Sequence, residues 1–105
     1  MKSLYLALGA LAILVAPAMA EEDAYLASGK RTAEANCSQC HNIEPGGAFK
    51  LYPPSFAAIA KYYTPDVIAM KIMYPDHALL MPQFNRYMFE THVNNLVGYI
   101  VSLDE

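Results

Sequence analysis

Two cysteines and a histidine stand close together in the stretch ANCSQCHN, as Cys37, Cys40 and His41. The chain has no other cysteine, so the spacing of this pair limits its chemistry. A Cys-x-x-Cys pair can form a redox disulfide, supply half of a zinc site or, where histidine follows at once, attach a haem covalently. The rest of the sequence favours the third possibility.

A disulfide or a zinc site fits the surrounding sequence poorly. A bridge from Cys37 to Cys40 would close a very short loop, and short loops add the least stability. Redox-active pairs of this spacing accompany a βαβ pattern, whereas this sequence has no run of alternating strands and helices. A structural zinc ion needs four ligands, and His77 and His92 stand far apart without partners at the usual spacing.

Haem attachment accounts for all three residues and for their order. The two thiols add to the two vinyl groups of a haem, and the short separation holds them at the distance between those groups. The imidazole of His41 then binds the iron as proximal ligand. The sequence therefore predicts one covalently bound haem c, with Cys37 and Cys40 as its thioether anchors.

The second axial position of such an iron decides between an electron carrier, an oxidase and a sensor. Met81 is the predicted ligand because it lies in a loop, where Pro82 restrains the backbone. A thioether favours ferrous iron and raises the reduction potential. Two alternatives stay open: His77, in the same loop, would give a bis-histidine haem of lower potential, and Met81 could be a loop methionine that only fills a gap.

Helices are predicted on both sides of this loop. Thr64, Pro65 and Asp66 have the residue types of a helix start, and Pro75 disfavours helix at the residue before it. Apolar residues at i, i+3, i+4, i+7 and i+8 from Val93 onward indicate a closing helix with one face towards the core. The four predicted helices cover approximately residues 23–36, 55–62, 65–74 and 91–103.

The other methionines and the last histidine have simpler expected roles. Met70 and Met73 fall inside the third predicted helix, where methionine commonly packs in the core. Met88 should pack beneath the closing helix. His92 should lie near solvent at the entry of that helix, for which Glu90 and Thr91 are the best available cap.

The first twenty residues have the composition of a secretory signal peptide. Lys2 precedes an apolar run, and Ala18-Met19-Ala20 provides a small-x-small cleavage site. The alternative is an uncleaved anchor, but the run carries Gly9, is broken by Pro17 and falls short of the ~20 apolar residues of a comfortable membrane span. We expect residues 1–20 to be removed, the protein to be periplasmic, and the mature chain to have no membrane span.

The remaining residues 21–105 form one small domain. These 85 residues carry six basic and ten acidic side chains, a formal net charge of −4. Nucleic acid is therefore not an expected partner. A chain of this length has a limited apolar core and often needs a covalent or metal staple, a role that a covalently bound haem would fill.

The order of these elements resembles that of the class I c-type cytochromes, over nearly all of the mature chain. The matching segments are Gly29, Cys37-Ser38-Gln39-Cys40-His41, Tyr52-Pro53-Pro54-Ser55-Phe56, Met81-Pro82 and Leu96-Val97-Gly98-Tyr99-Ile100. The resemblance implies an all-α domain, a small cytochrome c-like fold of about four helices wrapped around one covalently bound haem.

The same resemblance implies roles for further residues. The first and last helices should cross at Gly29 and Tyr99, where the missing Cβ allows close approach. The carbonyl of Pro54, or alternatively of Pro53, should accept a hydrogen bond from the outer nitrogen of His41 and so orient its ring. Tyr52 should line the haem or bond its propionates.

The expected function is that of a periplasmic one-electron carrier with a His/Met-ligated haem, not an enzyme in itself. Two alternatives are a haem c subunit of a periplasmic dehydrogenase complex, such as one oxidising sulfite or an alcohol, and a gas-binding or peroxidatic haem protein. The expected partners are periplasmic redox proteins, namely a dehydrogenase, a reductase or a terminal oxidase, met as a monomer or in a transient complex. The acidic mature chain departs from family members that dock through a ring of lysines.

Overall fold

The computed structural model describes residues 16–47, 53–76 and 80–104. They form α1 (Ala16–Asn36), α2 (Phe56–Tyr62), α3 (Pro65–Met73), a 3₁₀ turn (Phe84–Arg86) and α4 (Glu90–Ser102). Those three segments contain no strand, and the predicted all-α fold of about four helices is confirmed. Among the described helices, none has both the length and the apolar character that a membrane crossing requires.

The first helix begins earlier than the sequence analysis predicted. It was expected to start near Asp23, whereas α1 extends back to Ala16 and runs through the position after Ala20. Residues 16–22 are mainly alanine and glutamate, which favour helix, and Pro17 is tolerated because the first turn of a helix needs no N–H donor there. Cleavage after Ala20 stays a prediction.

The two middle helices, α2 and α3, begin and end close to the predicted residues. The hydroxyl of Ser55 accepts a hydrogen bond from the N–H of Ala58 at 3.2 Å and caps α2. Thr64 is the N-cap of α3 and Pro65 its first residue, as predicted, although the Thr64 hydroxyl makes no capping bond. The helix ends at Met73, one residue before the predicted end.

The start of α4 uses a different residue from the predicted cap. Phe89 is the N-cap, and its side chain has no oxygen to accept from the first N–H groups of the helix. The N–H of Phe89 itself donates to the ring Nδ1 of His92, three residues along, at 3.4 Å. His92 is exposed and Met88 is buried, as expected. The sequence has no Ser, Asp or Asn at this cap position, and His92 supplies only the reciprocal half of a capping box, the bond to the cap residue's own N–H.

The core is apolar and draws on all four helices. Met73 packs against it, as predicted, but the prediction for Met70 is wrong, because this side chain is 65% exposed. Ile68 and Ile72, four residues apart, form the buried face of α3, and Met70 lies two positions from each, on the opposite side of the helix. The buried apolar residues are Ala33, Cys37, Ile43, Phe56, Ala60, Ile68, Ile72, Phe84, Met88, Val93, Leu96, Tyr99, Ile100 and Leu103.

The predicted crossing of the first and last helices is confirmed. Gly29 is buried, and a Cβ there would lie 2.8 Å from the Cβ of Tyr99 and closer still to the backbone oxygen of Asn95. The crossing has a second close contact, because a Cβ on Gly98 would lie 2.5 Å from the ring of Tyr25. Each helix thus presents a glycine to a tyrosine of the other.

These two glycines should respond differently to alanine. At Gly29 the obstacle is backbone, which cannot move aside, so we expect Gly29→Ala to lower the free energy of unfolding by about 1–3 kcal/mol. At Gly98 the obstacle is the end of the Tyr25 ring, which is 43% exposed and can shift. Gly98→Ala should therefore cost less than about 1 kcal/mol, since the gain in helix propensity offsets part of the strain. Denaturant unfolding of both variants checks this, and equal losses would contradict it.

Candidate functional site

The Cys37, Cys40 and His41 motif lies in the turn that directly follows α1. The N–H of Cys37 donates to the carbonyl of Ala33 at 2.8 Å, so the helix leads into the turn without a break. The carbonyl of Cys37 then accepts from the N–H groups of Cys40, at 3.2 Å, and His41, at 2.9 Å. One tight turn therefore holds both thiols and the imidazole.

The two cysteines have different surroundings. Both are free thiols, but Cys37 is buried in the core while Cys40 is exposed. Burial raises the pKa of the Cys37 thiol to about 11, and the neighbouring Cys40 adds to the rise. Cys37 is consequently a neutral thiol at ordinary pH, within an apolar environment, and Cys40 is open to solvent.

The His41 ring is oriented by a backbone carbonyl. Its Nδ1 lies 2.6 Å from the carbonyl oxygen of Pro54. Because a carbonyl oxygen only accepts, Nδ1 carries a proton here, and in the neutral ring Nε2 then holds the lone pair with which histidine binds a metal. The ring also packs against Phe56, with 5.5 Å between ring centroids. Of the two prolines considered from sequence, Pro54 is the one that makes this contact.

The segment after His41 is tied to two other elements. The carbonyl of Asn42 accepts from the N–H of Phe56, the first residue of α2, at 2.9 Å. The carbonyl of Ile43 accepts from the hydroxyl of Tyr99 in α4, at 2.7 Å. Sequence reasoning assigned Tyr99 to the helix crossing and missed this second contact, for which spacing gives no signal because 56 residues separate the partners.

Three further residues predicted from the sequence are not part of the motif turn. Met81 is partly buried and packs against the same core cluster that contains Cys37 and Phe56. Its role as iron ligand stays a prediction. Tyr52 and the alternative ligand His77 lie outside the described residues.

An open groove on the described surface is separate from the motif. It has a volume of about 390 Å³ and lies between α1 and the start of α4, where Arg31, Asn36, Tyr87 and His92 contribute to its walls. None of the residues predicted to attach haem or bind its iron lines it.

The donor set in the turn fits a covalently bound haem. Two free thiols at Cys-x-x-Cys spacing lie in one turn, and the adjacent imidazole has a free Nε2 and an anchored Nδ1–H. Such outer hydrogen bonds fix the orientation and increase the donor strength of metal-binding histidines. Apolar residues surround the buried half of the site, which suits a largely apolar cofactor.

Comparison with known proteins agrees with this donor set. The family model described as "Cytochrome C oxidase, cbb3-type, subunit III" matches residues 24–100. The matched range includes the motif turn, Pro54, Met81 and almost all of α4. Neither a curated protein nor a solved structure matches the chain.

The difference in burial between Cys37 and Cys40 predicts that the two thiols react at different rates in protein produced without haem. At pH 8, iodoacetamide should modify Cys40 first, as followed by mass spectrometry of the cysteine peptide. The raised pKa of Cys37 lowers its thiolate fraction about a hundredfold relative to an ordinary thiol, and the greater nucleophilicity of a more basic thiolate restores about tenfold. Cys37 should thus react about tenfold more slowly than an ordinary thiol, before any steric protection.

The pH dependence and a control variant complete this test. The rate at Cys37 should rise with pH and reach half of its maximum near pH 11, where its thiol is half ionised. In Cys40→Ser, Cys37 should stay slow, because burial is the larger cause of the raised pKa. Equal rates at the two cysteines of the unmodified chain would contradict the described burial.

Proposed function

The chain belongs to the family whose model it matches, the cytochrome c domains described as subunit III of cbb3-type cytochrome c oxidase, and we propose that it is a one-electron carrier with His41 and Met81 as its axial ligands. As a class I c-type cytochrome domain it binds one haem c covalently. By the same match its role is electron transfer. The thioether anchors are proposed to be Cys37 and Cys40, the only cysteines present.

The observation that carries the proposal is the bond from His41 Nδ1 to the Pro54 carbonyl, 2.6 Å long. It leaves Nε2 as the only ring nitrogen able to bind a metal, and it fixes the plane of the ring. Metal-binding histidines almost always donate their other ring N–H to a carbonyl, a carboxylate or water in this way. The bond also makes the imidazole a stronger donor.

The protein's contribution to electron transfer is to hold the cofactor and limit access to it. When bound, the haem supplies a ferric/ferrous couple for one-electron exchange. If His41 and Met81 both bind the iron, they would leave no open position on it for a substrate. Phe56 and the rest of the core keep water from the His41 ring, which is only partly exposed.

The family match also favours a second candidate, in which the domain is a haem c subunit of a larger oxidoreductase. The matching family is described as an oxidase subunit. Among the expected partners, a terminal oxidase is therefore the first to test, ahead of a dehydrogenase or a reductase. A stable subunit would co-purify with its partner in salt, whereas a carrier would separate from it.

We also propose that the protein acts in the periplasm after loss of residues 1–20. The composition of this segment supports export, and c-type haem attachment to Cys37 and Cys40 would follow it. Protein recovered from the periplasm should begin at Glu21, as read by N-terminal sequencing or intact mass. A mature protein that begins at Met1 would overturn this part of the proposal.

The ligand assignment predicts a specific spectral change. Sulfur bound to ferric haem gives a weak long-wavelength absorption band, which the wild-type protein should show. Met81→Ala should abolish the band and lower the reduction potential, because the soft sulfur donor that favours ferrous iron is lost. Optical spectra and potentiometry of the matured protein measure both effects.

Two control variants make the result specific. Met70→Ala removes an exposed sulfur by the same substitution and should keep the band. His77→Ala removes the alternative ligand and should also keep it. A wild-type spectrum without the band, or a band that survives Met81→Ala, would show that Met81 is not bound to the iron and that the carrier proposal needs a different sixth ligand.

A further inference from the structure

Tyr99 makes a second contact in addition to the one at the helix crossing. Its Cβ lies at Gly29 in the crossing, while its hydroxyl donates to the carbonyl of Ile43 at 2.7 Å. Both residues are buried, with 6% of each exposed. Ile43 lies two positions after His41, so a residue of the last helix reaches the segment that carries the proposed iron ligand.

Three hydrogen bonds hold the segment 41–43, one at each of its residues. The His41 ring is held by Pro54, the carbonyl of Asn42 by the N–H of Phe56, and the carbonyl of Ile43 by Tyr99. The first two partners belong to the same stretch of chain at the start of α2. The third comes from α4, and it is the bond that ties the segment to the helix pair.

We propose that Tyr99 is a positioning residue for His41, with its hydroxyl holding the Ile43 carbonyl so that the imidazole keeps its orientation towards Pro54 and the iron. This inference rests on the proposed function, in which His41 is an axial ligand. It assigns to the hydroxyl a role separate from that of the ring.

The chemistry of the side chain supports this separation of roles. A phenylalanine would pack against Gly29 as well as a tyrosine does, so packing alone does not require the oxygen. A buried phenolic hydroxyl needs a partner, and here the partner lies in the segment after His41. Burial raises the pKa of Tyr99, and the carboxylates of Glu44 and Glu34 raise it further, so the hydroxyl stays protonated and remains a donor.

Loss of the hydroxyl would leave the buried Ile43 carbonyl without its donor. An unsatisfied buried carbonyl is costly, and the segment would turn to find water or another donor. The peptide groups after His41 would move with it, since the bond from the Phe56 N–H would be the one hydrogen bond among the described residues that still ties the backbone of Asn42 and Ile43 to another element. The His41 ring would then open from Pro54 more often, while the helix crossing stayed intact.

The test compares haem-loaded Tyr99→Phe with haem-loaded Tyr25→Phe and the wild type. Tyr25 also crosses from α1 to α4, and its hydroxyl donates to the carbonyl of Asn94 at 2.8 Å, far from the His41 segment. Tyr25→Phe is therefore a matched control that removes a tyrosine hydroxyl bond from the same crossing. The thermal midpoint of each variant measures the loss of stability separately.

The readout is the His41 ring, observed by NMR through its hyperfine-shifted resonances in the ferric protein. In Tyr99→Phe the His41 Nδ1–H should exchange with solvent about tenfold faster than in the wild type, the factor expected for one lost hydrogen bond. The hyperfine shifts of the ring protons should also change. In Tyr25→Phe both should match the wild type.

Equal behaviour of the two variants would overturn the proposal and leave Tyr99 a packing residue. If Tyr99→Phe fails to retain haem, the wild type supplies a second measurement. There the Tyr99 hydroxyl proton and the His41 Nδ1–H should be protected together and exchange through a common opening, because release of the hydroxyl frees the segment that carries the ring. Independent exchange of the two protons would also overturn the proposal.

This test is separable from the test of Met81. Absence of the long-wavelength band would remove Met81 as ligand, but the His41 resonances report on the other axial side and would still show whether Tyr99 positions the ring. Conversely, a normal band with unchanged His41 exchange in Tyr99→Phe would retain the carrier proposal and reject the positioning role.

Discussion

The close contact between α1 and α4 at Gly29 is the constraint on which the rest of the structure depends. Because Gly29 has no Cβ, the backbone of α4 at Asn95 and the Cβ of Tyr99 pack directly on α1. The motif turn continues from the end of α1, so the position of this helix fixes where the two thiols and His41 lie. The same contact aims the Tyr99 hydroxyl at Ile43. A substitution that separated the helices would therefore disturb the core and the site together.

The site is held by neutral hydrogen bonds to backbone carbonyls, not by charged pairs. The ion pairs of the described residues, Lys30 with Glu44 at 3.9 Å and Lys71 with Asp76 at 3.0 Å, are solvent-exposed, and such pairs contribute little to stability. Within the same part of the chain, no buried side-chain nitrogen or oxygen lacks a partner. Backbone carbonyls carry no net charge, so the hydrogen bonds that hold this segment depend less on salt than charged pairs would.

Sequence predicted the local features well because they depend on neighbouring residues. The Cys-x-x-Cys-His motif, the start of α3 at Thr64 and the glycine at the crossing all follow from short patterns or from their order along the chain. Met70 was placed wrongly because helical spacing alone does not say which face of α3 meets the core, whereas Ile68 and Ile72 decide it by packing. The bond from Tyr99 to Ile43 depends on how distant segments meet, and composition and periodicity carry no trace of it.

The distribution of charge in this chain departs from that of family members that dock through a ring of lysines. Residues 35–43 and 77–85, which contain the motif and Met81, have no lysine, arginine, aspartate or glutamate. Removing water from uncharged polar and apolar groups costs less than removing it from ions, so a partner could approach these segments closely at small cost. Any electrostatic steering has to come from charges outside both segments, where screening over about 8 Å at physiological salt weakens it. Contact at the segments themselves would then depend on shape and apolar packing.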